Sequence, residues 1–180
     1  MLTPQIKQDG FTLLELVVVI IIISIIGLVA VNRFWQWSVV AERASLQTVV
    51  GTLRTALGLE TSRLAMRRQL DKLPAYVDTN PMKLLAQTPH NYVGEIKNEK
   101  QPVEDGSWYF DSSNRLLVYR LKYTDGFSSV LKVPPRIRYH IKLVYTDNNH
   151  NGRYDRNADD LGGLDLVANE PYRWQPQESK

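Results

Sequence analysis

The strongest pattern in the chain is one uninterrupted apolar run near its N-terminus. From Leu16 to Val31 every residue is apolar, glycine or serine, whereas from Asn32 onward the chain is polar and charged, with regular proline and glycine. Residues 11–31 are long enough to cross a bilayer, since about 20 helical residues cover the roughly 30 Å hydrocarbon core. The pattern therefore predicts a membrane-spanning helix over about residues 12–32 on an otherwise water-compatible protein.

The helical pattern continues beyond the apolar run. No proline occurs between Val39 and Leu70, and apolar residues recur near helical spacing at Leu46, Val49, Val50, Leu53, Leu57 and Leu64. We therefore predict one helix over residues 11–68, with a transmembrane half and an amphipathic half. The alternative is two helices with a break near Gly51 or Gly58.

Aromatic residues follow the apolar run directly. Phe34, Trp35 and Trp37 stand next to Arg33. Aromatic rings are enriched at membrane–water interfaces, and a long cationic side chain can reach from the same depth into water. These residues are predicted to form an interfacial belt.

Residues 69–180 are predicted to form a β-rich globular head. Strands are indicated at Ser107–Phe110, Arg115–Tyr123 and Arg136–Thr146, with turn residues between them. The turn Asp111-Ser-Ser-Asn114 predicts that the first two strands form a hairpin. The last strand alternates strictly: the inward side chains are Ile137, Tyr139, Ile141, Leu143 and Tyr145, and the outward ones are Arg136, Arg138, His140 and Lys142. The predicted class is α+β, a long N-terminal helix packed on an antiparallel sheet.

The amino-acid composition excludes only a few classes of protein function. The 180 residues suit one globular domain with an extension, and the formal net charge is +3. There is no cysteine, which excludes a disulfide framework and a cysteine-ligated metal. The three histidines are scattered, and no set of residues typical of an enzyme active site is present, so the protein is predicted not to be an enzyme.

Glu15 is the odd residue of the apolar run. An ionised carboxylate within such a segment costs at least about 2.5 kcal/mol on insertion scales, and it usually has a function and a partner. A plain single-pass anchor does not explain it, although the residue could lie in the headgroup region near the helix start. A secretory signal peptide cleaved after Ala30 is a further alternative, but the run is long for one and Leu28 is large for the cleavage site.

The residues around Glu15 read Gly10-Phe11-Thr12-Leu13-Leu14-Glu15-Leu16. This segment resembles the N-terminus of the type IV prepilin and type II secretion pseudopilin family, which has glycine, phenylalanine and an apolar run with glutamate at the fifth mature position. The resemblance implies a leader of residues 1–10 and a prepilin peptidase that cuts between Gly10 and Phe11 and methylates the new amine. It also implies a single-pass protein of the bacterial inner membrane with a periplasmic head.

The same resemblance implies assembly into a filament with other pilin or pseudopilin subunits on an inner-membrane platform. Cleavage would create a cationic amine at Phe11, one helical turn from Glu15. The carboxylate of one subunit can then meet the amine of its neighbour, so that two charges in an apolar setting satisfy each other. A contact within one subunit is the alternative. Either pairing would set the register of assembly.

An acidic, asparagine-rich segment near the C-terminus is the second informative motif. Asp147, Asn149 and Asn151 occupy alternate positions before Gly152, as at the start of a calcium-binding loop, and Asp155 falls at its ninth position. The twelfth position holds Ala158 instead of a bidentate glutamate, with Asp159 after it. The segment therefore predicts either a calcium site or a polar hairpin turn at Asn151-Gly152.

The outward face of the last predicted strand suggests two interpretations. Arg136, Arg138 and Lys142 form either a solvated outer face that discourages edge pairing or a cationic stripe for DNA or an acidic partner. The tyrosines that could stack on bases lie on the other face of that strand.

The predicted function is therefore a structural one. The chain is expected to be a subunit of a type IV pilus or type II secretion filament, and its asparagine-rich turn is similar to that of minor subunits of the H/FimT type. The alternative is a minor pilin that binds DNA or another ligand during DNA uptake or adhesion.

Overall fold

The computed structural model describes residues 12–97 and 101–175, apart from the side chains of Asn32 and Gln36. The chain divides into two compact units, a stem unit of Met1–Ser38 and a head unit of Val39–Lys180. Helix α1 covers Leu13–Met66, and two short 3₁₀ helices follow at Leu70–Tyr76 and Pro81–Leu84. The strands are β1 (Tyr92–Ile96), β2 (Trp108–Asp111), β3 (Leu116–Arg120), β4 (Phe127–Ser129), β5 (Arg136–Thr146), β6 (Asp160–Ala168) and β7 (Tyr172–Trp174).

Helix α1 is continuous through Gly51 and Gly58, so the predicted single helix is confirmed. Its C-terminal end is set by backbone geometry. Arg68 adopts a positive φ of 55°, and the amides of Arg68 and Gln69 donate to the carbonyls of Ala65 and Leu64 at 3.0 and 2.9 Å. This Schellman arrangement satisfies carbonyls that the helix leaves without a partner.

Five strands form the main sheet in the order β1-β2-β3-β5-β6, and β4 pairs with β7 in a separate two-stranded sheet. Strand β5 has the predicted bounds, and β2 and β3 form the predicted hairpin. The predicted long helix packed on an antiparallel sheet is confirmed, and the sheet has one parallel pair at its edge, between β1 and β2. A parallel neighbour needs a long connection, and residues 97–107 supply it.

The main core of the head unit lies between α1 and one face of the sheet. A single stripe of the helix is buried, and so are the side chains that face it from the sheet, as the period of 3.6 in a helix and of 2 in a strand requires. The buried helix residues are Val39, Leu46, Val50, Leu53, Leu57 and Leu64, and the buried sheet residues include Trp108, Phe110, Leu117, Tyr119, Ile137, Tyr139, Ile141 and Leu166.

A second, smaller core explains an irregularity in the β3 sequence. Leu116 and Val118 lie on the face of β3 opposite the helix, where alternation would place polar residues. They are buried with Ile96, Val103 and Tyr109. The segment around Val103 thus covers part of the outer face of the sheet, and both faces of β3 are apolar for that reason.

Glu42 is a buried carboxylate that fixes α1 on the sheet. It is 9% exposed and accepts hydrogen bonds from the Tyr119 hydroxyl at 2.9 Å and from the amides of Lys122 and Tyr123 at 2.8 Å each. Burial, together with the nearby Glu42 charge, raises the pKa of Tyr119 well above its usual range, so its hydroxyl stays a donor. Three donors around one carboxylate set the position of the helix along the sheet.

A second carboxylate, Glu60, ties the end of α1 to the first 3₁₀ helix. Its two oxygens accept from the Arg63 guanidinium, with a distance of 2.7 Å from Nε, and its Oε1 also accepts from the Tyr76 hydroxyl. The hydrogen bonds from Arg63 and then from Tyr76 lower the pKa of Glu60 to about 2. The ionised form is therefore favoured by folding.

Replacing Glu42 with alanine is expected to lower the free energy of unfolding of the full chain by about 3 kcal/mol, because a buried hydroxyl and two amides lose their acceptor. Chemical denaturation in detergent micelles, followed by tryptophan fluorescence, measures the change. The matched control is Glu104→Ala, whose side chain is exposed; it should change stability by no more than about 0.5 kcal/mol. Equal losses in both variants would contradict the anchoring role of Glu42.

Glu60 should make the free energy of unfolding depend on pH. Because its pKa falls from 4.5 to about 2 on folding, its contribution is complete above pH 4.5 and is lost as the pH falls towards 2. Denaturation curves across this window should show the difference between wild type and Glu60→Gln shrinking as the pH drops. A difference that stays constant with pH would argue against the ionised Glu60 contact, and Glu104→Gln should follow the wild-type profile.

Candidate functional site

The first turn of α1 is capped by a local motif. The hydroxyl Oγ1 of Thr12 accepts the backbone N–H of Glu15 at 3.2 Å. Threonine followed three residues later by glutamate is the sequence signature of a capping box, and the negative Glu15 side chain also lies where the helix dipole favours it. The sequence prediction did not use Thr12, although this spacing indicates its role.

The carboxylate of Glu15 is exposed, and no residue within 12–97 or 101–175 donates a hydrogen bond to it. Gly10 and Phe11, the predicted cleavage and methylation residues, lie outside the described residues. The predicted pairing of Glu15 with the Phe11 amine thus stays a prediction. What the structure adds is a charged group on a helix surface that is open for contact with another molecule.

The apolar segment of α1, Leu13–Val31, is exposed along its whole length in the part of the chain that the structure describes. Its large side chains are 39–81% exposed, and α1 is long and apolar enough to cross a membrane. The one polar side chain near its middle, Ser24, donates from Oγ to the carbonyl of Ile20 at 2.7 Å, so it adds no unsatisfied group. A helix that is apolar on all sides is stable only when lipid or other helices cover it.

The aromatic residues after the apolar segment are exposed as well. Phe34, Trp35 and Trp37 are 65%, 55% and 70% exposed. Large rings left open to water at the end of an apolar helix are what an interfacial position in a membrane requires. Their predicted role as a belt agrees with this exposure.

The asparagine-rich loop, residues 147–159, joins β5 to β6 and is held by its own hydrogen bonds. Asp147 accepts from the amides of Asn151 and Gly152 at 3.2 and 2.7 Å. Asp155 accepts from the side-chain amides of Asn149 and Asn151 at 2.8 and 2.5 Å. These hydrogen bonds stabilise the turn from within, which explains why Asp and Asn residues alternate in this segment.

The buried Asp159 completes this loop. It is 8% exposed and accepts from the amides of Asn148 and Asp155 at 3.1 and 2.7 Å. Carboxylate and amide oxygens are the donors that calcium prefers, but in this arrangement the amide nitrogens of the loop face Asp155. In the described part of the chain, no group of three or more His, Cys, Asp or Glu side chains is placed to hold a metal ion. Calcium binding stays a prediction.

The predicted cationic stripe on β5 is largely engaged in contacts within the head unit. Arg138 forms an ion pair with Glu170, with Nε at 3.1 Å from Oε2. Burial opposes ionisation of Glu170, but the bonds from Arg138 and Asn169 outweigh it, so the pKa of Glu170 is lowered. Arg136 donates to the carbonyls of Lys132 and Pro134 at 3.1 Å each.

Of the three residues of the stripe, Lys142 is exposed, whereas Arg136 and Arg138 are half-buried. A guanidinium that already pairs with a carboxylate contributes less to phosphate binding than a solvated one. The nucleic-acid role of this face stays a prediction, and these contacts favour the interpretation as a solvated, internally braced outer face.

Comparisons with known proteins bear on the N-terminus. Residues 6–31 match the family model described as the prokaryotic N-terminal methylation motif. The match covers Gly10, Phe11 and Glu15 and the whole apolar segment, Leu13–Val31. No curated protein and no solved structure matches the chain.

Calcium at 5 mM is predicted to raise the melting temperature of the full chain by about 2–4 °C, the shift expected for a millimolar site in a chain of this size. Asp147→Ala should abolish that rise, and magnesium at the same concentration should not reproduce it. A melting temperature that calcium leaves unchanged would identify the loop as a hydrogen-bonded turn only.

Proposed function

We propose that this protein, which its N-terminal methylation motif marks as type IV prepilin-like, is a minor structural subunit of a type IV pilus or a type II secretion filament. The motif implies processing by prepilin peptidase and assembly with other pilin subunits. In this proposal the peptidase cuts between Gly10 and Phe11 and methylates the Phe11 amine.

The observation that carries the proposal is the uncovered apolar segment of α1. Its side chains from Leu13 to Val31 are exposed among the described residues, and a single carboxylate, Glu15, lies in its first turn. Lipid covers such a surface before assembly, and neighbouring helices of the same kind cover it afterwards. One segment can therefore serve first as membrane anchor and then as the centre of a filament.

Electrostatics gives assembly its specificity. In apolar surroundings an unpaired carboxylate is costly, whereas a carboxylate paired with an amine loses most of that cost. The amine that processing creates at Phe11 is the natural partner, from the same chain or from a neighbour. Unprocessed chains lack an amine at Phe11, so a subunit can assemble only after its leader has been cleaved.

The head unit supports a structural role. Its largest side chains fill a closed core between α1 and the sheet, and pilins are a structural family, not an enzyme family. The proposed location is the bacterial inner membrane with the head in the periplasm, on an assembly platform in that membrane. The asparagine-rich loop favours a minor subunit by analogy alone.

Glu15→Val is predicted to insert into the membrane, to be cleaved normally, and to reduce incorporation into filaments at least about tenfold, since an uncompensated amine remains in the helix bundle. Sheared filament fractions, compared with the membrane fraction by immunoblot, measure this. Ser24→Val is the matched control. It also removes a polar group from the apolar segment, but that group bonds only to its own helix, so the variant should assemble normally.

Normal assembly of Glu15→Val would remove the pairing role from this residue. Loss of assembly in Ser24→Val as well would show that packing of the segment, and not the charge of Glu15, limits incorporation.

A further inference from the structure

The segment between β3 and β5, residues 121–135, contains the short strand β4 and forms one end of the head unit. Its first residues hold Glu42 of α1, since the amides of Lys122 and Tyr123 both donate to that carboxylate. Its two ends meet where the amide of Leu121 donates to the carbonyl of Pro135 at 3.1 Å. We call residues 121–135 the entry loop.

The direction of α1 shows which end of the head unit this is. Glu42 contacts the entry loop, Arg54 donates to the carbonyl of Leu166 at 2.9 and 3.1 Å, and Thr61 lies against Gly163. The helix therefore runs from the entry loop towards the asparagine-rich loop, which follows the far ends of the strands. The entry loop lies at the end of the head unit where the chain arrives from the stem unit.

The tip of the entry loop exposes apolar side chains. Val130 is 72% exposed and Val133 is 89% exposed. The tip is nevertheless held by hydrogen bonds: Ser129 Oγ accepts the amide of Leu131 at 3.2 Å, and Arg136 donates to the carbonyls of Lys132 and Pro134. These hydrogen bonds hold the tip in place while both valines stay in contact with solvent.

The charges near the tip are cationic. Residues 126–136 contain no acidic residue, and Lys132 stands between the two exposed valines. Arg173, on the strand that pairs with β4, lies opposite Ser128 and is exposed. Apolar side chains flanked by lysine and arginine suit the boundary between the headgroups and the acyl chains of an anionic bilayer.

Chain length limits the distance between Glu42, which the entry loop holds, and the aromatic residues. Glu42 follows Trp37 by five residues, which span at most about 18 Å in any conformation. If the aromatic residues lie at the interface, the entry loop is therefore within reach of the same surface. This step rests on the proposed function, specifically on membrane anchoring of the apolar segment.

We propose that Val130, Lys132 and Val133 dock the head unit onto an anionic phospholipid surface while the subunit is still in the membrane. Docking would hold the head in one orientation before assembly, and it would be released when the subunit leaves the bilayer. Contact between two identical tips would bring two Lys132 charges together, whereas anionic headgroups neutralise them. Lipid is therefore the partner that the charges favour.

The absence of cysteine makes a site-specific test simple. The full chain carrying Val133→Cys, labelled with an environment-sensitive fluorophore, is reconstituted into vesicles of phosphatidylglycerol and phosphatidylcholine in equal parts. Separate vesicle preparations carry a nitroxide quencher either just below the headgroup, for positions 133 and 157, or near the end of the acyl chain, for position 24. Asn157→Cys, at an exposed site in the asparagine-rich loop, reports the far end of the head unit, and Ser24→Cys reports insertion of the apolar segment.

The proposal expects quenching at position 133 to exceed that at position 157 at least about threefold. Adding Lys132→Glu, or using phosphatidylcholine alone, should reduce it towards the value at position 157. Quenching at position 133 that neither change reduces would overturn the choice of an anionic surface.

The controls separate the two proposals. If Ser24→Cys is not quenched, membrane anchoring fails, and the docking proposal falls with it. If Ser24→Cys is quenched while positions 133 and 157 behave alike, only the docking proposal is overturned. Energy transfer between two copies labelled at position 133, without lipid quenching, would overturn it in favour of contact between subunits.

Discussion

The carboxylate of Glu15 is the one ionisable group among the side chains from Leu13 to Val31, and the rest of the account depends on what neutralises it. An apolar helix by itself would enter a bilayer and stay there, because lipid covers all of its faces equally well. A single charge in its first turn changes this, since the charge is satisfied only where a cation is placed beside it. In the proposed function, this charge gives the apolar segment a preferred partner and a preferred register.

One helix serves two environments because its side-chain pattern changes along its length while its backbone does not. In lipid every backbone amide and carbonyl must be satisfied within the segment, which an α-helix achieves. Beyond Val39 the same helix needs only one apolar stripe, and the charges of Glu42, Arg54 and Glu60 attach it to the sheet and to the 3₁₀ helix. These polar contacts define its position, and the buried stripe supplies most of the stabilisation.

Local patterns predicted the helix, the β2–β3 hairpin and the bounds of β5, because each combines a clear period with flanking turn residues. Strand β6 was missed, since Gly162 and Gly163 interrupt its alternation. The structure gives part of the reason for these glycines: Gly163 has a φ of +149°, and a side chain there would lie 3.2 Å from Thr61. The parallel edge strand β1 and the role of Glu42 depend on contacts between residues far apart in the chain, which no local pattern encodes. At the candidate site, the motif around Glu15 could be read directly, whereas the hydrogen bonds of the asparagine-rich loop and of Arg138 needed the tertiary structure.

The most direct test of the central claim is the mass and sequence of the N-terminus of the mature protein, purified from membranes of cells that contain a prepilin peptidase. The account predicts that the mature chain begins with N-methylated Phe11, which places a cationic amine one helical turn from Glu15. A mature chain that keeps residues 1–10, or begins at any other residue, would contradict it, because the apolar segment would then carry an acid without the amine that assembly requires.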